Sequence, residues 1–324
     1  MKAIVCKELG PPESLVYEEV ADIAPAANEV RIKVVSAGVN FPDTLIIQGK
    51  YQFRGTPPFT PGAEVAGLVI AVGSKVKRLK IGDAVAAVVP IGGYAEAVNA
   101  AEEAVMPLPA DFDLVMGGGF LLAYGTVMHA LKQRGSLKAG ETLLVLGAAG
   151  GVGLAAVQIG KRMGARVIAA ASSADKLALC RAQGADEVID YSQESLKEAV
   201  KKLTRGQGAD VIFDPVGGEL AQECFSSIAW SGRHLVVGFA AGTIPEIALN
   251  RLLLKGAATL GVFWGAFIAR EPQVSLQNHQ QLFAWIAAGE LKPYVSKTYP
   301  LKDAAQALRD MLDRKVTGKI VLLP

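Results

Sequence analysis

Leu143–Gly153 reads LLVLGAAGGVG: an apolar β-type run passes directly into a glycine-rich turn, and the following LAAVQIGKRMG has the composition of a helix. Ala148, Gly150 and Gly153 stand at the three fingerprint positions of G-x-G-x-x-G, with alanine in place of the first glycine. Such a turn aims the free N–H groups and positive dipole end of a helix at a pyrophosphate. A plain tight strand-to-helix connection has the same pattern, so the neighbouring sequence has to separate a dinucleotide site from a bare turn.

The next strand, Arg166–Ala171 (RVIAAA), completes a βαβ unit and ends about 20 residues past the last glycine, where an NAD site places an acid for the ribose hydroxyls. Here the chain offers Ser172, Ser173, Ala174, Asp175 and Lys176. Hydroxyls and an ammonium suit a 2′-phosphate, each charged hydrogen bond contributing roughly 1.5 to 3 kcal/mol. The sequence therefore points to NADPH. The two serines also suit a helix cap, with Asp175 as a first-turn acid, and both readings can hold together.

At 324 residues, 51% hydrophobic and 20% charged, the chain has material for two domains with large cores. A net charge of +2 without a basic run interleaved with aromatics excludes a nucleic-acid footprint and leaves a small-molecule substrate. Cys6, Cys180 and Cys224 are odd in number and far apart, as expected of buried thiols in a reducing compartment, here the cytoplasm. The start MKAIVCKELG has too short an apolar run for a secretory signal. Leu114–Leu131 approaches the length of a membrane span, but three consecutive glycines favour a buried helix joining two domains.

The first 110 residues carry short β-like runs (Ala3–Cys6, Glu29–Ser36, Glu64–Val72, Ala84–Val89, Gly93–Val98) separated by glycine, proline and asparagine, which predicts an irregular antiparallel barrel. From about Phe120, helix and strand alternate through LLVL, RVIAAA, EVID, VIFD, HLVVGF and TLGVF, the rhythm of a parallel sheet covered on both faces. Val274–Gly289 reads as an amphipathic helix, followed by Tyr299–Ala307 and a terminal strand GKIVLLP. The expectation is an α/β chain: a doubly wound parallel sheet over 121–264 and a discontinuous β-barrel domain over 1–120 and 265–324. The apolar run Ala257–Trp264 reads as an edge strand suited to pairing with a second copy.

Gly38-Val39-Asn40-Phe41-Pro42-Asp43-Thr44, Pro61-Gly62-Ala63-Glu64-Val65-Ala66-Gly67, Gly82-Asp83-Ala84-Val85, the AAGGVG turn, Gly184-Ala185-Asp186 with Asp190-Tyr191, and Asp214-Pro215-Val216-Gly217-Gly218 together resemble the zinc-independent quinone oxidoreductase branch of the medium-chain dehydrogenase/reductase superfamily, nearly end to end. The resemblance implies a GroES-like substrate domain, a Rossmann domain, a cleft between them, NADPH-dependent hydride transfer and a homodimer. Zinc-dependent relatives carry a cysteine and a histidine where this chain has Asn40 and Ala63, neither of which is a strong zinc ligand, and Pro90–Glu103 lacks the four cysteines of their second site; no metal is expected.

By the same resemblance Asn40, Asp43 and Thr126 are catalytic candidates; where some quinone reductases carry a tyrosine shortly after the Asp-Thr pair this chain has Leu45 and Ile46, and Tyr51, the nearest phenol, joins the candidates. Asn40, Thr126, Ala149, Gly150, Gly151, Val152, Ser172, Lys176, Tyr191, Val216, Phe239, Phe263 and Trp264 are the candidates for NADPH, with Asp214 beneath the cofactor. Each has an ordinary structural alternative: Asp214 as a turn cap, Phe239 as core, Tyr191 as cover for a strand edge, Tyr51 as domain packing. His129, His234 and His279 match no metal or relay spacing and read as structural or exposed. The expected reaction is reduction of a quinone or related conjugated carbonyl. An NADPH-dependent reductase of enones, acrylates or enoyl thioesters is the alternative enzyme, and a nucleotide-binding protein without turnover is the non-enzymatic one.

Overall fold

Valine, isoleucine and alanine runs punctuated by glycine become fifteen strands in the computed structural model, which describes residues Met1–Pro324. In chain order they are β1 (Lys2–Val5), β2 (Val16–Glu19), β3 (Glu29–Val39), β4 (Glu64–Val72), β5 (Ala84–Val88), β6 (Ala97–Ala101), β7 (Val105–Pro107), β8 (Thr142–Leu146), β9 (Arg166–Ala171), β10 (Glu187–Asp190), β11 (Ala209–Asp214), β12 (Ile228–Val236), β13 (Ala258–Gly261), β14 (Val295–Pro300) and β15 (Lys319–Leu323). The chain divides into two units, one of Met1–Leu122 with Pro293–Pro324, the other of Ala123–Lys292.

In the first unit the sheet order is β14-β15-β3-β4-β5-β7, and β6 pairs with the other half of β3. All pairs are antiparallel except β14 with β15. The long strand β3 shifts register twice against β4, which bends it, and it pairs with three neighbours, β4 along one edge and β6 and β15 along the other. Its inward residues Val30, Ile32, Val34, Ala37 and Val39 meet Val65, Val85, Val98 and Ile320 in a single core. The antiparallel expectation holds, with β2, β7 and β14 added and the strand expected at Gly93–Val98 displaced to Ala97–Ala101.

The second unit is a six-stranded, all-parallel sheet in the order β10-β9-β8-β11-β12-β13. Leu143–Leu146 is fully buried, as a strand covered on both faces must be. Counting strands within the unit, this is the 3-2-1-4-5-6 order whose direction reverses between β8 and β11, the switch point at which such sheets hold ligands.

Two expectations change. Residues 265–292, expected in the barrel domain, belong to the second unit as helices Trp264–Arg270 and Pro272–Ala287. Phe267 stacks on His129 with ring centroids 3.8 Å apart, and Asn278 exchanges two hydrogen bonds with Gln133, so their inner faces are committed there. The single helix expected over Leu114–Leu131 is broken into Leu114–Gly117, Leu121–Met128 and a π-helical turn, His129–Arg134. The glycines cause the break: a Cβ on Gly118 would lie 2.1 Å from Ser36 Oγ, so this segment approaches β3 more closely than a side chain permits.

Candidate functional site

In the second unit the glycine-rich turn joins β8 to the helix Gly151–Arg162, with Gly150 at the N-cap and no capping side chain over the first-turn amides. A Cβ on Gly153 would lie 2.2 Å from Gly147 O and 2.8 Å from Ala148 Cα, so only glycine lets the helix start this close to the strand. Gly147 adopts φ +55 and faces Val216, whose Cγ2 would lie 2.9 Å from a Cβ placed there. The turns after β8 and β11 therefore touch at the switch point, bringing Ala149, Gly150, Gly151 and Val152 together with Val216. The bare amides and absent side chains are the cradle a dinucleotide pyrophosphate fits.

At the end of β9, Ser173 occupies the N-cap of the helix Ala174–Ala182 but its hydroxyl makes no capping bond, and Lys176 is half-buried in the first turn. Tyr191 N–H donates to Ala171 O at 3.2 Å, which fixes Tyr191 beside Ser172 across two adjacent strand ends. Ser172, Lys176 and Tyr191 thus come from neighbouring strand termini, as a 2′-phosphate pocket requires, and Tyr191 also packs on the apolar core.

Asp214 closes β11 as a turn cap: its Oδ1 accepts the N–H groups of Val216 (2.9 Å) and Gly217 (2.8 Å). Its Oδ2 meets His234 Nε2 at 2.9 Å, both residues fully buried. Sequence spacing did not foresee this pair, because 20 residues separate partners that parallel strands place side by side. The signal available was a histidine inside the apolar run HLVVGF. Phe239 is half-buried and lies against Gly217. Thr126 is buried within the helix Leu121–Met128. Of the two neighbouring aromatics, Phe263 is exposed and Trp264 is buried, its indole lying over Gly125.

In the first unit Asn40 caps the short helix Phe41–Ile46 and sits in a buried polar cluster. Its Nδ2 donates to Glu64 Oε2 (3.1 Å) and Gly38 O (3.4 Å), and its Oδ1 accepts from Lys319 Nζ at 2.6 Å. Lys319 Nζ also reaches Val39 O (3.2 Å) and Glu64 Oε2 (3.4 Å), while Glu64 Oε1 accepts Leu122 N–H at 2.8 Å. Both amide hydrogens of Asn40 are therefore engaged within the protein, which makes the side chain an anchor and removes it as a free donor to an oxyanion.

Asp43 Oδ2 accepts Tyr94 OH (2.7 Å) and Asn40 N–H (2.8 Å), whereas Oδ1 is buried without a partner. Burial pushes the Asp43 carboxyl up to about 6, against the opposing pull of Tyr94, the Asn40 amide and the Lys319 ammonium. Tyr94 is driven well above the ordinary phenol range by burial and by Asp43. Tyr51 is half-buried on the barrel core, and burial followed by Asp43 raises its phenol too, so it stays protonated at neutral pH.

Glu64, Tyr94 and Lys319 are the members of this cluster that sequence reasoning missed. Lys319 had a cue: it is a lone cation opening the otherwise apolar strand KIVLL.

Two family models match the chain: "Alcohol dehydrogenase GroES-like domain" over residues 26–130 and "Zinc-binding dehydrogenase" over 151–280. A quinone oxidoreductase-like protein 2 homolog of Nematostella vectensis is 39% identical over 99% of this chain and 88% of its own length. The crystal structure of Escherichia coli quinone oxidoreductase complexed with NADPH superposes with a TM-score of 0.95 at 31% identity, covering 100% of both chains. A 2-haloacrylate reductase structure superposes at 0.86 and 30% identity, covering 100% of this chain and 99% of the other. Both units, their order along the sequence and their full length are thus shared, and the chain belongs to the quinone oxidoreductase family of the medium-chain dehydrogenase/reductase superfamily.

Proposed function

We propose that this chain is an NADPH-dependent oxidoreductase that reduces a quinone or a related conjugated carbonyl. The observation that carries this reading lies in the second unit: the glycine-rich turn and the Asp214 turn meet at the switch point of a 3-2-1-4-5-6 sheet, and serine and lysine stand where an NAD site has an acid. Ala149, Gly150, Gly151 and Val152 hold the pyrophosphate through backbone amides. Ser172, Lys176 and Tyr191 hold the 2′-phosphate, while Thr126, Val216, Phe239 and Phe263 border the nicotinamide. Trp264, buried against Gly125 and His279, contributes from the core. NADPH supplies the hydride.

The acceptor gains negative charge on oxygen, and of the first unit's catalytic candidates Tyr51 is the one with a protonated hydroxyl, Asn40 being held by Glu64 and Lys319. A well-aimed donor contributes roughly 2.7 to 4 kcal/mol to such a step. A quinone is reduced so favourably that positioning and exclusion of water carry most of the work. No side chain that replaces a zinc ligand is present at Asn40 or Ala63, and no three His, Cys, Asp or Glu side chains gather to hold a metal.

The likeness to a 2-haloacrylate reductase supports a second reading, reduction of an activated carbon–carbon double bond. Loss of NADPH absorbance with a benzoquinone, an enone and an enoyl thioester in parallel ranks the two readings. The fastest turnover is expected with the quinone; no oxidation with any of the three overturns the enzymatic reading and leaves a nucleotide-binding protein.

The homodimer reading rests on β13, the edge of the parallel sheet, and on exposed apolar side chains near it: Trp230, Leu249, Leu253 and Leu254, the third 79% exposed. Light scattering is expected to give twice the chain mass of 33.9 kDa. Three buried free cysteines support a reducing compartment, the cytoplasm, and no helix is long and apolar enough to cross a membrane.

A further inference from the structure

We propose that His234 is a positioning residue for the dinucleotide site, holding through Asp214 the turn Pro215–Gly217 that packs on the glycine-rich turn; the inference rests on the cofactor reading above. β11 and β12 are parallel neighbours, with Ile212 opposite His234 and Asp214 opposite Val236. The imidazole thus comes from the strand beside Asp214 and meets its Oδ2 at 2.9 Å. The Phe225 ring packs against it in a T-shaped pair, with centroids 4.7 Å apart. His234 Nδ1 is buried without a partner, so the pattern is that of an imidazole carrying its hydrogen on Nε2 and donating it to the carboxylate.

With Oδ2 fixed in this way, Oδ1 is left to the amides of Val216 and Gly217, and the turn they form is tight enough that Gly217 adopts φ +67, ψ −145. The hold extends further. Asp214 O accepts Val237 N–H (2.9 Å), Pro215 O accepts Ala240 N–H (3.1 Å) and Val216 O accepts Ala241 N–H (2.9 Å), which binds the loop bearing Phe239 to the same turn. One buried hydrogen bond therefore orients a carboxylate that fixes two loops, one carrying Val216 against Gly147 and the other carrying Phe239 against Gly217. A site whose groups are already placed loses less freedom on binding, so the dyad raises cofactor affinity without touching the cofactor.

The test compares wild type, His234→Leu and His234→Gln by fluorescence titration with NADPH and by steady-state kinetics with a benzoquinone. Leucine leaves a buried carboxylate oxygen without its donor, and Kd and KM for NADPH are expected to rise about tenfold with KM for the quinone unchanged. Glutamine places an N–H at similar reach and is expected to restore the NADPH constants to within about threefold of wild type. A folded His234→Leu protein that binds NADPH as wild type does, however reduced its Tm, overturns the inference and leaves the cofactor reading intact. Wild type that binds no NADPH overturns both. If His234→Leu does not fold, hydrogen exchange on the free wild-type chain decides: slow exchange at Val216 and Gly217 before NADPH is added supports the pre-placed turn, and free exchange there that slows only with NADPH overturns it.

Discussion

The polar cluster of the first unit and the glycine-rich turn of the second are built in opposite ways. In the first, Asn40, Glu64, Lys319, Asp43 and Tyr94 are buried and bonded to one another. In the second, the glycine-rich turn presents backbone amides with no capping side chain, and Ser173 stands at a helix start without bonding to it. A closed cluster shapes a surface without reading what touches it, whereas open donors select a ligand by charge and geometry. On the function proposed above, the difference predicts narrow choice of cofactor and broad tolerance of acceptor, and it can be attacked from either side.

The sharpest attack is on the closed cluster. Lys319 and Glu64 are an ion pair with side chains 6% and 0% exposed, joining the last strand to β4. Lys319→Met leaves the Glu64 carboxylate buried without its cation, and the expected loss is about 3 to 5 kcal/mol in urea unfolding. Replacing both at once, Glu64→Gln with Lys319→Met, should recover most of it, because the uncompensated charge is gone. A single substitution costing under about 1 kcal/mol would mean the pair behaves as a solvated surface bridge, and the contrast between units would fall.

Next in size is the pH response of Asp43. Its carboxyl is raised to about 6 in the folded protein, against about 3.9 in an unfolded chain. Between those values the folded state binds the extra proton, so this contribution is fully present below about pH 4 and is lost as pH rises through 6. The loss amounts to about 3 kcal/mol at 1.36 kcal/mol per unit. Asp43→Asn is neutral throughout, so the stability of wild type relative to this variant should fall by that order between pH 4 and 8. Parallel curves would show that Asp43 ionises as an ordinary carboxylate.

On the open side, Lys176→Ala should raise KM for NADPH about tenfold to a hundredfold, the equivalent of one charged hydrogen bond, and leave NADH nearly unchanged. Equal losses with both cofactors would remove Lys176 from the 2′-phosphate.

These contrasts were unequally legible in the sequence. The parallel sheet could be read because each strand is a short apolar run and each turn has its glycine, and the cofactor candidates follow from one local motif and its βαβ spacing. The boundary near residue 292 could not, since nothing in the apolar pattern of Trp264–Arg270 and Pro272–Ala287 says whose core they cover; His129 and Gln133, more than 130 residues earlier, decide that through Phe267 and Asn278. The same holds for the cluster in the first unit. Asn40, Glu64 and Lys319 lie up to 279 residues apart, and only the pairing of β15 with β3 brings the lysine to the asparagine. In sequence Asn40 is therefore a catalytic candidate, whereas the fold has already used its amide hydrogens.

The smallest expected effect discriminates most finely between substrates. Tyr51 keeps its proton at neutral pH because burial and Asp43 both disfavour the phenolate, and with Asn40 engaged it remains the candidate donor to the acceptor oxygen. Tyr51→Phe deletes that hydrogen and little else. If quinones need only positioning, kcat with a benzoquinone should fall less than about threefold, well short of the hundredfold or more that accompanies loss of a working oxyanion donor. An enone places more charge on a less forgiving oxygen, so the same variant should lose more with it. A loss above about a hundredfold for the enone beside an unchanged quinone rate would identify the phenol as the donor that the harder reaction requires. It would then favour double-bond reduction as the chemistry this unit is shaped for, while equal and negligible losses would return Tyr51 to the packing of the barrel.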